Sequence, residues 1–108
     1  MKWLITLVAI CLTSVCFGQI EVLHFNASFN AANACEWVND ITDCDIEFVD
    51  ILAQPGLQKE HKIVVVPTII VLNNGKEEKR FQANIMMQME ATKEEIQEAV
   101  DEIIYSDF

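Results

Sequence analysis

Residues 22–38, VLHFNASFNAANACEWV, join an apolar stretch to a polar one and decide how the rest of the chain is interpreted. Residues 20–25, IEVLHF, are mostly apolar and rich in β-forming side chains, which predicts a buried strand. Residues 31–42 repeat apolar side chains three and four positions apart, which predicts a helix with one buried stripe formed by Ala34, Trp37, Val38 and Ile41. Asn30 stands between the two elements, and asparagine is a favoured N-cap residue. We therefore expect Asn30 to cap the helix.

The remaining chain predicts two more strand regions and a final helix. Residues 46–52, IEFVDIL, read as a strand that Pro55 and Gly56 bring to an end, and residues 57–62 as a polar turn or one helical turn. Residues 64–83 read as two strands joined at Asn74-Gly75, a strong hairpin signal. Thr92 and Glu95 form a capping box that opens a helix whose apolar positions are Ile96, Val100, Ile103 and Ile104.

The predicted order is strand, helix, strand, connector, strand, strand, helix. A strand–helix–strand unit implies a parallel pair with a right-handed crossover, and the hairpin adds two antiparallel strands. The sequence therefore predicts an α/β fold with a mixed four-stranded sheet and flanking helices. We expect one domain over residues 20–108.

Two motifs within this order resemble the thioredoxin family in its minimal form. FNASF, residues 25–29, matches the aromatic-x-Ala-x-aromatic run before the family's active site, and VVVPTIIVLNNGK, residues 64–76, matches its Pro-Thr, strand and turn. The final amphipathic helix matches in position. The resemblance implies a cis Val66–Pro67 bond and a groove that receives extended peptides. The binding residues it implies are Asn30, Asn33, Val66, Pro67 and Thr68.

The same resemblance places the family's two reactive cysteines at Asn30 and Asn33. Dithiol exchange needs a thiolate activated at a helix start and a second thiol that resolves the mixed disulfide. Asparagine supplies neither group. We therefore expect a domain without enzymatic activity that binds peptides or proteins or acts like a chaperone, with its Cys-x-x-Cys motif replaced by Asn-Ala-Ala-Asn.

Two alternatives stay open. Cys35, alone or with Cys44, could make the chain a thiol-disulfide oxidoreductase that contributes to redox homeostasis, although Cys35 would lie beyond the first helical turn, where dipole activation fades. A Cys35–Cys44 disulfide is also open, but a helix over residues 31–42 would hold the two cysteines apart.

The second alternative function is that of a structural partner domain within a larger assembly.

Residues 1–19, MKWLITLVAICLTSVCFGQ, have the pattern of a secretory signal peptide: one early cation, an apolar run and a small-x-small end. Cleavage would remove Cys11 and Cys16 and release a secreted, periplasmic or lumenal domain. If the segment were not cleaved, it would act as a membrane anchor.

The chain has 17 acidic and 7 basic residues, a formal net charge of −10. Phosphates would be repelled, so we expect neither nucleic acid nor, after cleavage, a membrane surface as partner. An extended peptide or a protein is the expected partner, and no cofactor or metal is expected. Met86, Met87 and Met89 lie in a stretch without clear periodicity and are typical of apolar cover or a peptide-contact surface.

Overall fold

A computed structural model describes residues 20–106 of the chain. The predicted signal peptide lies outside the described residues, as do residues 107 and 108. Within the described part, no helix combines the length and the apolar character needed to cross a membrane.

The described residues are organised around one mixed sheet of four strands. The sheet order is β2-β1-β3-β4, in which β1 and β2 are parallel and the two other pairs are antiparallel. The strands are β1 (Ile20–Asn26), β2 (Asp45–Asp50), β3 (Thr68–Asn73) and β4 (Lys76–Gln82). This confirms the predicted α/β fold class with its mixed four-stranded sheet.

Alternate residues of each strand point to opposite sides of the sheet, so helices and loops pack against both faces. On β1, Val22 belongs to an apolar cluster that also includes the inner side of helix α2 (Lys93–Ser106). Leu23 and Phe25 belong to a second cluster on the other face, against which Leu57 of helix α1 (Pro55–Glu60) packs. The sheet is therefore the middle layer of three.

The predicted capping box is confirmed at the start of α2. The backbone N–H of Glu95 donates to the Thr92 hydroxyl, and the backbone N–H of Thr92 donates to the Glu95 carboxylate, both at 3.2 Å. These two bonds satisfy N–H groups that have no partner inside the helix. The helix then buries Ile96, Val100 and Ile103 against the sheet.

The predicted helix over residues 31–42 is wrong. The structure has two short 3-10 helices, Ser28–Asn33 and Glu36–Asp40, separated by extended backbone at Ala34. The break has a tertiary cause, because the backbone N–H of Cys35 donates to Nε2 of the buried His24 at 2.9 Å instead of to a helical carbonyl. The apolar stripe still packs against the core, through Val38 and Ile41.

The hairpin between β3 and β4 turns where the sequence predicts it. Asn74 and Gly75 have φ angles of 54° and 84°, as a tight two-residue hairpin turn requires. Gly56, in α1, offers a matched comparison, because a Cβ added at either glycine would meet nothing within 4 Å. The two glycines therefore differ in backbone conformation and not in available space.

We predict that alanine has opposite effects at these two glycines. Gly75→Ala should lower the free energy of unfolding by about 1 kcal/mol, because L-residues are disfavoured at positive φ. Gly56→Ala should raise it by about 0.4–1 kcal/mol, because alanine restricts the unfolded chain and favours helix. Urea denaturation of both variants checks this, and a stabilising effect of Gly75→Ala would contradict it.

Candidate functional site

Asn30 lies where β1 gives way to the first 3-10 helix, and its buried side chain is bonded to three other parts of the chain. Its amide nitrogen donates to the Met87 carbonyl at 3.1 Å, to Oδ1 of Asn26 at 3.2 Å and, at the long limit of 3.5 Å, to the Val66 carbonyl. Its Oδ1 accepts from the Asn33 side chain at 2.8 Å. Asn30 therefore joins β1, the loop before β3 and the loop before α2.

The predicted capping role of Asn30 is wrong. Ala27 occupies the N-cap position of the first 3-10 helix, with no side-chain cap, and Asn30 lies within the helix at φ −112° and ψ 24°. Asn26 completes the turn instead, since its side-chain amide donates to the Asn30 carbonyl, four residues later, at 3.1 Å. The pair of asparagines replaces a helical cap with a buried network of amides.

The loop before β3 faces this network. The Val66–Pro67 peptide bond is cis, and Pro67 immediately precedes β3. Thr68 is fully buried and its hydroxyl donates to the Val65 carbonyl at 2.6 Å. The structure thus brings Asn30 and Val66 into contact and uses the Thr68 hydroxyl inside the protein.

An open apolar groove of about 250 Å³ runs beside this loop. We call it the proline-loop groove, and its walls include Phe29, Val64, Val65, Val66, Ile85 and Met87. Its rim is unusually apolar for a protein surface, because Phe29 is 68% exposed, Val64 79% and Ile85 98%.

Sequence reasoning missed Ile85 as a groove residue, whereas Met87 belongs to the methionine stretch for which it left a peptide-contact surface open. The backbone N–H groups of Met86 and Gln88 donate to Oδ1 of Asn84, at 2.8 and 3.1 Å. Asparagine commonly fixes turns in this way, and its place before a run of apolar residues was the available signal. The turn holds Ile85 and Met86 outward.

Both cysteines of the described region are free thiols in environments that disfavour thiolate. Cys35 is buried, and burial raises the pKa of its thiol to about 11. Burial, followed by the charges of Asp45 and Asp43, raises the pKa of the Cys44 thiol to about 11. At pH 7 about one thiol in 10⁴ is therefore ionised. The Cys35–Cys44 bridge that the sequence left open is not formed.

Cys35 does occupy the N-cap position of the second 3-10 helix, but its side chain packs in the apolar cluster under α2. Its backbone contacts His24, whose ring lies 4.6 Å from that of Phe48. Burial lowers the pKa of His24, and Nε2 accepts a hydrogen bond, so the ring is neutral. Within residues 20–106, no group of three or more His, Cys, Asp or Glu side chains is placed to bind a metal.

No protein-family model matches the chain, and no curated protein matches its sequence. Solved structures do match. Thioredoxin 1 of Thermosipho africanus superposes with a TM-score of 0.61 and 20% identity, over 81% of this chain and 97% of that one. The chain has a thioredoxin fold. A Schistosoma mansoni thioredoxin gives a TM-score of 0.65 at 14% identity, over 85% of this chain and 86% of that one.

The Fasciola hepatica thioredoxin is similar too, with a TM-score of 0.58 and 21% identity over 79% of this chain and 81% of that one. At such identities the likeness establishes the thioredoxin fold and leaves the chemistry to the residues of this chain. In this chain burial raises the pKa of the two described thiols, and the Asn30 amide network lies beside the proline-loop groove.

We predict that Asn30 is a main support of this thioredoxin fold. Asn30→Ala should lower the free energy of unfolding by about 2–4 kcal/mol, because it leaves buried carbonyls without their donor. Asn39→Ala, at an exposed asparagine of the second 3-10 helix, is the matched control and should change stability by less than about 0.5 kcal/mol. Equal effects of the two substitutions in chemical denaturation would contradict this role.

The stability of the domain should depend on pH through the buried His24. Because the folded pKa of His24 lies below its unfolded value of 6.5, the unfolded chain binds more protons at low pH. The contribution of His24 is complete above pH 6.5 and should fall by at most about 1.4 kcal/mol per pH unit below it.

Urea midpoints measured from pH 8 to pH 5 check this dependence. His24→Phe should flatten the curve in that window, whereas Asn39→Ala, which removes no titratable group, should keep its shape. A wild-type curve that is flat between pH 6.5 and pH 5 would contradict the predicted loss of the His24 contribution to stability.

Proposed function

We propose that this domain is a redox-inactive module that binds an extended segment of polypeptide in the proline-loop groove. The observation that carries the proposal is the Asn30 network. Its amide, and no thiol, bonds the Val66 and Met87 carbonyls beside an open apolar groove. These hydrogen bonds fix the shape of the site, and the amide and carbonyl groups that form them cannot exchange electrons.

Backbone groups at the groove support an extended ligand. Residues 64–66 belong to neither a helix nor a strand, and within residues 20–106 their amides donate no backbone hydrogen bond. An extended chain laid beside them could pair with them as a strand does at a sheet edge. Asn33, half-buried and bonded to Asn30, borders the same network and is the side chain we assign to contact the ligand.

Apolar side chains would supply the affinity. Phe29, Val64 and Ile85 form the exposed rim, and Met87 adds a flexible apolar surface that adapts to different partners. A ligand segment with two or three aliphatic or aromatic side chains fits this lining. The net charge of −10 favours ligands with basic flanks.

The competing function is thiol-disulfide exchange at Cys35, alone or with Cys44. No observation favours it, because burial raises the pKa of both thiols and Cys35 packs away from the proline loop. We further propose that the domain acts after export, secreted or in a periplasmic or lumenal space. This second proposal rests on the signal-like pattern of residues 1–19.

The reduction of insulin by dithiothreitol tests the redox side. We expect no acceleration by the protein, and no difference between wild type and Cys35→Ser. Acceleration that is lost in Cys35→Ser would overturn the proposal and establish the oxidoreductase.

Binding of reduced, carboxymethylated insulin B chain, an extended apolar polypeptide without thiols, tests the binding side. Val64→Ser and Ile85→Ser should each weaken binding about fivefold to tenfold, because each removes about 1–1.4 kcal/mol of apolar contact. Tyr105→Ser removes an equally exposed apolar side chain on α2 and should leave binding unchanged. No binding by wild type, or equal losses in all three variants, would overturn the proposal.

A further inference from the structure

Strand β2 presents a second surface, separate from the proline-loop groove. It lies at one end of the sheet, and among residues 20–106 only β1 is paired with it. Within the described residues, no strand lies beside the backbone donors and acceptors of its outer edge, which is the arrangement that accepts an added strand.

An apolar cavity of about 240 Å³ adjoins this edge. We call it the β2 cavity, and its walls include His24, Ala27, Ala31, Ala34 and Phe48. Three of these are alanines of the segment where a continuous helix does not form, so small side chains leave the space open. Phe48 is 40% exposed at the cavity mouth, where it packs on the His24 ring.

The two faces of β2 differ in chemistry. Ile46 and Phe48 point to the side of the sheet that α2 covers, together with the cavity. Asp45 and Glu47 point to the other side and are both exposed. A strand added beside β2 would therefore meet apolar side chains on one face and carboxylates on the other.

No ion pair among residues 20–106 involves the carboxylates of this edge. In the described part of the chain the ion pairs join His61 to Glu60 and Arg80 to Glu77, and neither involves β2. Asp45 is moreover directly opposite Glu21 on β1. Like charges facing each other across strands are unfavourable, and basic side chains on an added strand would relieve the repulsion.

We propose that the outer edge of β2 and the β2 cavity bind an extended segment of a basic partner protein as a fifth strand. The side chains of that segment alternate: basic residues lie opposite Asp45 and Glu47, and apolar residues lie beside Ile46 and Phe48. Backbone pairing supplies the attachment, and the alternation supplies the selectivity.

The charge pattern sets this partner apart from two other occupants. A second copy paired through β2 would place acids opposite acids, which is destabilising. Residues 1–19 of the same chain are mainly apolar and carry a single cation, Lys2, so they cannot provide the basic alternation.

The test uses the full-length protein and the probe acetyl-Lys-Ile-Lys-Phe-Lys-Ile-Lys-amide, with a peptide of equal composition in block order as its control. We expect the alternating peptide to bind and to slow amide hydrogen exchange of residues 45–50. The block peptide should bind at least about tenfold more weakly, because its charges and apolar groups cannot match both faces of β2.

Matched variants locate the interaction. Glu47→Gln should weaken binding about twofold to fivefold, the range of an exposed ion pair, and Phe48→Ser about tenfold. Glu78→Gln removes an equal charge from exposed β4 at the opposite end of the sheet and should have no effect. Equal losses in both Glu→Gln variants would show attraction to net charge alone and overturn the proposal.

Three further outcomes would also overturn it. Protection of residues 64–66 instead of 45–50 would place the peptide in the proline-loop groove. Protection, in the free protein, of the β2 amides that face away from β1 would mean that its own chain covers the edge. The last outcome is a dimer in sedimentation that Glu47→Lys changes. The first of these outcomes would leave the proposed function intact, so the two proposals fail separately.

Discussion

The side chain of Asn30 is the constraint on which the rest of the site depends. One carboxamide joins the end of β1, the loop that carries Val66 and the turn that carries Met87. Because Asn30 is buried, losing its amide donor would leave oxygens without partners in a region of low dielectric. An amide suits the position, because it donates and accepts at once. A thiol has one weak donor and could not bond both of the nearer acceptors, Oδ1 of Asn26 and the Met87 carbonyl.

The sheet could be predicted from the sequence because its signals are local. The strand signals are apolar or alternating patterns a few residues long, in residues 20–25 and 64–83. The turn is set by two residues, Asn74-Gly75, and the start of the last helix by four, Thr92–Glu95. The predicted helix over residues 31–42 failed for the opposite reason. Trp37, Val38 and Ile41 of its apolar stripe do pack against the core, but Ala34 lines the β2 cavity. The backbone N–H of Cys35 donates to His24, eleven residues earlier, and not to a helical carbonyl. Periodicity reports which side of a segment is buried and cannot report such a competing bond.

The candidate site was predictable only in part. The pattern around Phe25 and Phe29 placed Asn30 at the right point of the chain and assigned it the wrong bonds. Its strongest distant partner, the Met87 carbonyl, is 57 residues away in a stretch without periodicity. The apolar rim at Ile85 depends on that same turn. The missing information was which distant polar groups pair with one another. Local propensity does not report such pairing.

The backbone–backbone hydrogen bonds between Ala27 and Ile41, such as Asn30 to Ala27 and Val38 to Cys35, each span only three residues. This short span forms a common wall, because Phe29 lines the proline-loop groove while Ala31 and Ala34 line the β2 cavity. A ligand that shifted this segment at one surface would therefore also change the lining of the other.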